Sequence, residues 1–397
     1  MSETSQDAQS RLKTLNAALD ALSESDYEGA YFRRTERFQS VLRERSVDAA
    51  ILTLGAEVPW LIGYEPMPLE RITALVIRPD EIPMLIVPQL EAARVVPRSD
   101  LFKVVPWAED KDPFDMIVSG IRGAKRVGVS DRGWSSWLLA TARKTTDSEF
   151  YSLSELEFDV RREKDEIELL TLAAAGAAAD AVAEQLLGGQ VKLLGRTERE
   201  VSEELGRLLL DFGHSHVNFA IVASGSNSAS PHHEPSSKVI ERNDPVVCDF
   251  GGTFAANGEP GYCSDITRTV FVGEANREFL RLYEVLELAQ STARESIVSG
   301  MKLSAADAAA RDVIDAAGYK EYFIHRLGHG IGLEEHEEPY LVSNAAGVVR
   351  ERDCFSVEPG IYISGTFGAR IEDIVTVKNG KVESFNKAAR NLVQLQA

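Results

Sequence analysis

The segment Gly328–Pro339 reads GHGIGLEEHEEP and holds three glycines, four glutamates and the histidines His329 and His336. Glycine lets the backbone turn or approach another group closely, while histidine and glutamate serve both as acid–base groups and as metal ligands. A solvated acidic loop is the simpler interpretation of the segment taken alone. A metal site is inferred only if residues elsewhere in the chain supply partners.

Four carboxylates occur in apolar, β-prone surroundings. They are Asp249 in VVCDFGG, Asp265 in YCSDITRT, Glu358 in SVEPGIY and Glu372 in ARIEDIV. Each successive pair is predicted to lie on two adjacent strands. A carboxylate in such surroundings meets a large desolvation penalty unless it is paired or bound to a metal. Salt bridges to Arg268 and Arg370 are the competing interpretation.

A metal site accounts for more of these residues than salt bridges do. Four carboxylates and His329 that converge on one cleft form a five-ligand, oxygen-rich site. Carboxylates can bridge two divalent ions about 3.5–4 Å apart, as two-metal hydrolytic sites require. One imidazole among carboxylates suits Mn, Co, Zn or Fe better than the all-oxygen shell of Ca. The glycines beside His329 are expected to let the backbone approach the ions.

The composition of the chain argues against several classes of protein. The 397 residues carry a net charge of -19, whereas binding to a phosphate backbone needs clustered lysine and arginine. No apolar run approaches the length of a membrane span, and the N-terminal stretch lacks the apolar core of a secretory signal. Three cysteines are too few for a disulfide framework. We therefore expect a cytoplasmic protein that binds neither nucleic acid nor membrane.

The chain is predicted to consist of three parts. Residues 1–28 form a helical N-terminal extension, residues 29–158 an α/β domain with a mixed sheet, and residues 159–397 a larger domain. Within the larger domain, two blocks of helix, helix, strand and strand occupy 163–272 and 276–386. Two similar halves that face each other would enclose a cleft lined by strands from both.

Three local signals refine this pattern. The capping-box spacing predicts two helix starts, one at Thr197 with Glu200 and one at Ser304 with Asp307. Asn379-Gly380 predicts a tight hairpin turn near the end of the second block.

Five motifs, CDFGG, SDITRT, GHGIGLEEHEEP, EPGIY and RIED, occur in that order. They resemble the pita-bread metallopeptidases of the methionine aminopeptidase, prolidase and aminopeptidase P group. The preceding α/β segment resembles the N-terminal domain of the creatinase and Xaa-Pro peptidase branch, which methionine aminopeptidases generally lack. The resemblance implies an α+β fold, with a pita-bread (creatinase/aminopeptidase) catalytic domain of pseudo-twofold halves after a smaller α/β creatinase-type N-terminal domain.

The resemblance also implies a ligand set. Asp249 and Asp265 would bind two divalent metal ions, with Asp265 bridging them. His329 and Glu358 would bind beside them, and Glu372 would bridge both ions. Manganese is the expected ion, with cobalt, zinc or iron as alternatives. Creatinase keeps the architecture but lacks these ligands, so the complete set argues against a creatinase.

The activity implied is hydrolysis of the Xaa-Pro bond of a dipeptide or of a peptide N-terminus, in a homodimer. Glu358 is the candidate carrier of the proton. His232 and His336 are the candidate donors to the developing oxyanion. Arg370 is expected to support Glu372, with the substrate carboxylate as its alternative partner.

Several assignments stay open. The run PHH leaves it undecided whether His232 or His233 faces the site, and the role of His325 is undecided as well. His214 flanks a strand-like run and is interpreted as structural. Most glutamates of the opening segment are expected to be solvated loop residues.

One departure from the family pattern concerns AANGE, residues 255–259, which lengthens the connection between the first two aspartates. A longer loop costs little stability, but it can alter the rim of the pocket. It is the main support for an alternative, a non-peptidase member of the fold such as a lyase or a non-peptide amide hydrolase. A non-catalytic binding module is a third reading, which the complete ligand set disfavours.

Overall fold

The structure is a computed structural model that describes residues 3–156 and 159–396. It divides into two compact units, one of Leu22–Val160 and one of Arg161–Ala397 together with Met1–Ala21. The first helix, α1 (Glu3–Asp20), therefore belongs to the larger unit. The predicted boundary after residue 158, like the predicted ends at residues 1 and 397, falls on positions outside the described residues. Among the described helices, none combines the length and the apolar character needed to cross a membrane.

The smaller unit contains one six-stranded sheet in the order β4-β3-β2-β1-β5-β6. Its elements are α2 (Glu24–Glu44), β1 (Ala49–Leu52), α3 (Glu57–Ile62), β2 (Ala74–Ile77), β3 (Met84–Pro88), a 3₁₀ turn at Ala92–Arg94, β4 (Lys103–Trp107), α4 (Pro113–Gly120), β5 (Arg126–Val129), α5 (Ser135–Lys144) and β6 (Glu149–Ser152). The sheet is mixed: β1 pairs with β5 in parallel and with β2 in antiparallel. The sequence patterns did not predict the edge strands β4 and β6, whose residues are mostly half-buried or exposed.

The first half of the larger unit packs two helices against a sheet. Its elements are α6 (Glu166–Leu187), α7 (Glu198–Asp211), β7 (His216–Ser224), a 3₁₀ turn at Gly225–Ala229, β8 (Pro245–Phe254), β9 (Tyr262–Cys263) and β10 (Ile266–Val272). Strand β8 lies between β7 and β10 and pairs with both in antiparallel. The helix start predicted at Thr197 is confirmed, because Thr197 and Glu200 form a capping box.

The second half repeats this order. Its elements are α8 (Arg277–Ser296), α9 (Leu303–Ala316), a 3₁₀ turn at Lys320–Tyr322, β11 (Gly328–Gly330), β12 (Glu337–Leu341), β13 (Cys354–Val357), β14 (Gly360–Ile363), β15 (Phe367–Arg370), β16 (Asp373–Lys378), β17 (Lys381–Ser384) and β18 (Val393–Leu395). Five strands form a sheet in the order β12-β11-β13-β16-β17, while β14 and β15 form a separate hairpin. Strand β18 returns to the first half, where it pairs with β10 in parallel.

Two local predictions for this half have different outcomes. The hairpin at Asn379-Gly380 is confirmed: both residues have positive φ and join β16 to β17. The helix predicted to start at Ser304 is present and begins at Leu303, but the predicted capping box is wrong, because α9 has no side-chain cap. Asp307 instead pairs with Arg311 and accepts the backbone N–H of Leu327. A long-range contact therefore takes the carboxylate that the local pattern assigned to a cap.

Helix α1 packs on α6 in the larger unit. Its Arg11 forms an ion pair with Asp180, a fully buried carboxylate in α6. The side-chain amide of Asn257, in the AANGE loop, donates to the carbonyl of Leu19 at 2.9 Å. The AANGE loop therefore holds the C-terminal end of α1.

Candidate metal centre

A cavity of about 280 Å³ in the larger unit is lined by residues from both halves. The cavity is lined by every residue that the sequence predicts as a ligand, a catalytic group or a supporting residue: Asp249, Asp265, His329, Glu358, Glu372, His232, His336 and Arg370. Pairing of the two halves thus brings together side chains that are far apart in the chain, from His232 in the first half to Glu372 in the second.

The four carboxylates reach the cavity from the middle or the ends of strands. Asp249 lies inside β8, and Asp265 immediately precedes β10. Glu358 lies in the break between β13 and β14, and Glu372 in the break between β15 and β16. The prediction that all four lie on strands holds for Asp249, whereas the other three lie where strands begin or end. A strand end leaves the backbone free to turn a side chain into the cavity.

His329 lies in the middle of β11, between two glycines that are needed for strand packing. A Cβ at Gly328 would collide with the backbone carbonyl of Ser356 on β13, and one at Gly330 with the backbone of Glu338. The glycines therefore allow neighbouring strands to approach closely, while the expectation that they let the backbone approach the ions stays a prediction. The Nδ1 atom of His329 lies 3.1 Å from the carbonyl oxygen of Gly330. If it donates there, Nε2 presents a lone pair to the cavity.

The candidate ligand atoms lie close together around the His329 ring. One ligand atom each from Asp265, His329 and Glu372 lies within 4.8 Å of the other two. Nε2 of His329 is 3.3 Å from Oε1 of Glu358 and 3.8 Å from Oδ2 of Asp265. Asp249 faces the same cavity and accepts a hydrogen bond from Arg370 at 2.5 Å.

Burial and mutual repulsion perturb the protonation of this cluster. The pKa values of Asp265 and Glu372 are raised well above their usual range, first by burial and then by the neighbouring carboxylates. Burial also raises the pKa of Glu358 to about 7. The pKa of His329 is lowered to about 3 by burial and by His336. A buried cluster of acids beside a neutral imidazole is the electrostatic setting that a cation relieves.

The donor set fits divalent metal ions. Three buried carboxylate oxygens, Oδ1 of Asp249, Oδ1 of Asp265 and Oε1 of Glu372, have no hydrogen-bond donor among the described residues. Buried acceptors of this kind need an explanation, and each belongs to a different carboxylate on one cavity. Oxygen atoms with one imidazole form a donor set that suits Mn, Co, Zn or Fe.

Arg370 organises one wall of the cavity. Its guanidinium donates to Oδ2 of Asp249 at 2.5 Å, to the Thr267 hydroxyl at 2.9 Å and to the Tyr362 hydroxyl at 2.8 Å. Thr267 in turn donates to Glu372 at 2.7 Å. Burial alone would lower the pKa of Arg370, but Tyr362, Asp249 and the other acids raise it well above its usual value. Its hydrogen bonds are directed at the carboxylates and their neighbours.

The competing interpretation predicts that Arg268 and Arg370 form salt bridges with the candidate ligands, and only one of the two arginines does so. Arg370 pairs with a candidate ligand, Asp249. Arg268 pairs with Asp373 at 2.8 Å and donates to backbone carbonyls. Arg268 thus neutralises the carboxylate that follows Glu372 in the chain.

The two adjacent histidines of PHH point in different directions. His232 lines the cavity, whereas Nε2 of His233 lies 2.8 Å from the carboxylate of Glu198. His336 lies over the ring of His329, with 3.8 Å between the ring centroids. His214 is buried, with Nε2 2.8 Å from the Ser264 hydroxyl.

The glutamates of the opening segment are only partly solvated. Glu335 and Glu338 are exposed, but Glu337 is buried against Lys164 and Arg161. Glu334 also pairs with Arg161. The expectation that most of them are solvated is therefore wrong for two of the four. The cations responsible lie before α6, in a distant part of the sequence.

Among the residues of the cavity region without a role assigned from the sequence are His325, Arg326 and Tyr362. His325 and Arg326 line the cavity, and Nε2 of His325 lies 3.1 Å from the Tyr362 hydroxyl. Burial lowers the pKa of His325 to about 3. Tyr362 lies in the quoted EPGIY motif and His325 precedes the glycine segment, so proximity to the motifs was the only available signal.

Two family matches cover most of the chain. Residues 171–379 match metallopeptidase family M24, and residues 34–162 match the creatinase/prolidase N-terminal domain. A probable dipeptidase PepE of Mycobacterium tuberculosis is 36% identical over 371 residues, which cover 91% of this chain and 96% of that protein. An Xaa-Pro dipeptidase of Lactobacillus delbrueckii subsp. lactis is 33% identical over 371 residues, covering 90% and 97%.

A crystal structure of dipeptidase PepE from Mycobacterium ulcerans shares the fold. The TM-score is 0.87 at 35% identity, and the match covers 93% of this chain and 99% of that one. The chain belongs to metallopeptidase family M24. The predicted fold class, a pita-bread catalytic domain after a creatinase-type N-terminal domain, is confirmed.

Proposed function

We propose that this member of metallopeptidase family M24 is a two-metal hydrolase that cleaves the Xaa-Pro bond of dipeptides. The three buried carboxylate oxygens that lack donors, on one cavity with a neutral imidazole, carry the proposal. Relatives named as a dipeptidase and an Xaa-Pro dipeptidase support the substrate class. They also count against the lyase and amide-hydrolase alternatives. The AANGE loop, which was the main support for those alternatives, contacts α1 through Asn257.

Five side chains are proposed to hold the ions: Asp249, Asp265, His329, Glu358 and Glu372. Two divalent ions supply Lewis acidity when bound, which polarises a carbonyl and lowers the pKa of water. Arg370 and Thr267 hold Asp249 and Glu372 in fixed orientations through the hydrogen bonds described above. Fixed ligands keep the reacting groups in one geometry, which lowers the barrier.

The remaining side chains are proposed to move or donate protons. The Glu358 carboxylate accepts a proton from the attacking water and delivers it to the leaving nitrogen. His336 and His232 donate hydrogen bonds to the oxygen on which negative charge develops. Proline makes the scissile bond a tertiary amide without an N–H, so recognition depends on the carbonyl and on the two ends of the substrate.

Arg326 supports a preference for dipeptides over longer peptides. It lines the cavity and stacks on Tyr340, 4.5 Å from the ring centroid, and it forms no ion pair among the residues that the structure describes. Arg370, the other arginine of the cavity, is already engaged with Asp249. In a dipeptide the C-terminal carboxylate is one residue from the scissile bond, so both fit in the cavity of about 280 Å³. Arg326 is the cation proposed to receive the carboxylate.

The finer parts of the proposal are manganese as the ion, a cytoplasmic location and a homodimer. The donor set suits manganese, as it does cobalt, zinc and iron, and manganese is the ion first expected at this site. Cys248, Cys263 and Cys354 are buried free thiols, which fits a reducing compartment. The homodimer rests on the family resemblance, and light scattering of the purified protein tests it.

Cleavage of Ala-Pro by manganese-reconstituted protein tests the main proposal, with Ala-Ala and a chelated sample as controls. We expect Ala-Pro to be cleaved, Ala-Ala to be spared and chelation to abolish the activity. Absence of Ala-Pro cleavage in protein shown to hold two metal ions would contradict the proposal.

The amide Ala-Pro-NH₂ tests the role of Arg326. Wild-type protein is expected to prefer Ala-Pro, and Arg326→Gln is expected to raise the KM for Ala-Pro while leaving that for the amide unchanged. Arg281→Gln, an exposed change on α8, serves as the control. Equal KM changes for both substrates would exclude a contact with the carboxylate.

A further inference from the structure

One buried carboxylate lies behind the segment that carries His232. The segment Ser224–Ser236 begins at the last residue of β7, forms the first part of the connection to β8 and contains one short 3₁₀ turn. Its backbone is otherwise irregular, so side-chain contacts have to hold it in place. Both Pro231 and His232 line the cavity. The position of this segment therefore sets one wall of the substrate site.

Glu198 binds both ends of the segment. Its Oε1 accepts hydrogen bonds from the backbone N–H of Ser224 at 2.8 Å, from the Ser224 hydroxyl at 2.9 Å and from the Asn227 amide at 3.0 Å. Its Oε2 accepts from the backbone N–H of Ser236 at 3.1 Å and from the Ser236 hydroxyl at 2.6 Å. Nε2 of His233 lies 2.8 Å from the same oxygen. The Glu198 side chain is 0% exposed.

Helix α7 holds Glu198 rigidly. Glu198 is the first residue of the helix, directly after the N-cap Thr197. Its own N–H donates to the carbonyl of Lys238, and the next N–H, of Arg199, donates to that of Ser236. Burial opposes ionisation, but the hydrogen bonds from Ser236, Asn227 and Ser224 hold the pKa of Glu198 at about 2. The group is therefore an ionised acceptor at neutral pH.

The contact with His233 separates the roles of the two adjacent histidines. Because the His233 ring is held against Glu198, its neighbour His232 is the ring that faces the cavity. On the other side, Nη1 of Arg370 lies 3.4 Å from the carbonyl of Pro231, and the Ser228 hydroxyl accepts the N–H of Gly368 at 2.9 Å. The segment is thus held between α7 and the strand that carries Arg370.

We propose that Glu198 is a positioning residue for His232, through the hydrogen bonds that fix both ends of Ser224–Ser236 and retain His233. The inference rests on the proposed function for its kinetic test only. A glutamine at this position keeps the shape of the side chain but replaces one acceptor oxygen by an NH₂ group. In either orientation that group faces a backbone N–H, of Ser224 or of Ser236, which cannot accept its hydrogen, so the segment has to shift.

The test is a double-mutant cycle in full-length, manganese-reconstituted protein, with Ala-Pro as substrate. Glu198→Gln is expected to lower kcat/KM by about 10²-fold, the loss that a misplacement of about 1 Å can cause, with the bound metal content unchanged. The double variant with His232→Ala is expected to lose no more activity than His232→Ala alone. Losses that multiply would overturn the proposal, because Glu198 would then act independently of His232.

Glu200→Gln is the matched control, since Glu200 is an exposed capping-box residue of the same helix and glutamine serves in capping boxes. It is expected to retain full activity. If Glu198→Gln fails to fold, His233→Ala takes its place in the cycle, because it removes one contact and leaves the others. It is expected to be less active than wild type and to show the same lack of additivity with His232→Ala.

A crystal structure of the Glu198→Gln variant, or of His233→Ala if the former does not fold, tests the inference without activity. The expected result is a shifted Ser224–Ser236 segment with His232 displaced from the cavity and α7 unchanged. A His232 ring left in place would overturn the proposal. A wild-type protein that does not cleave Ala-Pro would contradict the proposed function, while this structural result would still decide the role of Glu198.

Discussion

Each half of the larger unit brings a histidine to the cavity on a segment held by one buried glutamate, but the two glutamates are held differently. In the first half, Glu198 accepts from hydroxyl, amide, imidazole and backbone groups along Ser224–Ser236. In the second half, Glu337, the residue after His336, is clamped by two cations. The first half therefore uses mainly neutral donors and the second half uses ion pairs.

The ion pairs of the second half are deeply buried. Nζ of Lys164 lies 2.5 Å from Oε1 of Glu337, and Nη1 of Arg161 lies 2.8 Å from its Oε2. Burial would lower the pKa of Lys164, but the charge of Glu337 outweighs it and raises that pKa. Gly332 leaves room for the carboxylate, since a Cβ there would lie 2.7 Å from Oε1.

This difference predicts how much stability each segment loses when one partner of its glutamate is removed. Removing one neutral donor from Glu198 leaves several others in place, so the cost is that of a single hydrogen bond. Removing a cation from Glu337 leaves a buried charge without full compensation, and that costs more than the pair contributed. Four changes test or extend this contrast, and they are given in order of decreasing cost in stability.

Lys164→Met is expected to have the largest effect. It should lower the free energy of unfolding by about 3–5 kcal/mol, because it leaves the Glu337 carboxylate buried with one cation. Urea denaturation measures the loss, and Lys192→Met, on an exposed lysine, is the control. Adding Glu337→Met should recover part of the stability. A double variant less stable than the single one would refute the ion-pair explanation.

Acid is expected to destabilise the first half through His214. Burial lowers the pKa of His214 from 6.5 to about 4, so the unfolded chain takes up a proton between these values that the folded protein does not. Neutral His214 therefore contributes about 3 kcal/mol to the free energy of unfolding above about pH 6.5. This contribution decreases below that pH and is lost as the pH falls through about 4.

The difference in unfolding free energy between wild type and His214→Asn, measured from pH 7 to pH 4, isolates this contribution. The advantage of wild type should shrink as the pH falls. A difference that stays constant would show that His214 does not titrate in this range.

Ser236→Ala is expected to cost about 1.5–3 kcal/mol, because it removes the hydroxyl that donates to the charged Glu198 and accepts the backbone N–H of Lys238. The loss should stay below that of Lys164→Met, because the other donors to Glu198 remain. Ser202→Ala, which removes a hydrogen bond to the neutral carbonyl of Ala220, is the comparison in the same unfolding assay. A loss from Ser236→Ala larger than that from Lys164→Met would reverse the contrast between the two halves.

Asn257→Gly is expected to have the smallest effect, about 1 kcal/mol, since the hydrogen bond that it removes from Leu19 is neutral. Glycine accepts the positive φ of 55° at this position. The kcat/KM for Ala-Pro should be unchanged, because the loop holds α1. Altered kinetics would restore the interpretation that AANGE shapes the pocket rim.

Signals within a few residues predicted local structure well. Thr197 and Glu200 form the expected capping box because both partners lie in one helical turn. The turn at Asn379-Gly380 formed for the same reason. Asp307 satisfied the same spacing but pairs with Arg311 and the backbone of Leu327, so tertiary contacts replaced the local cap.

The sequence alone was enough to predict the fold class and the acidic side chains that line the cavity. Five ordered motifs and carboxylates in apolar strands identify both, since buried acids in such numbers need a common partner. The sequence left open which histidine of PHH faces the cavity and did not predict that Glu337 is buried. Both facts are seen only in the folded structure. Helix α7 and strand β7 separate Glu198 from His232 in the chain, and Lys164 and Glu337 belong to different halves of the larger unit. Contacts over such separations leave no periodic or local signal, because they exist only once the helices have packed on their sheets.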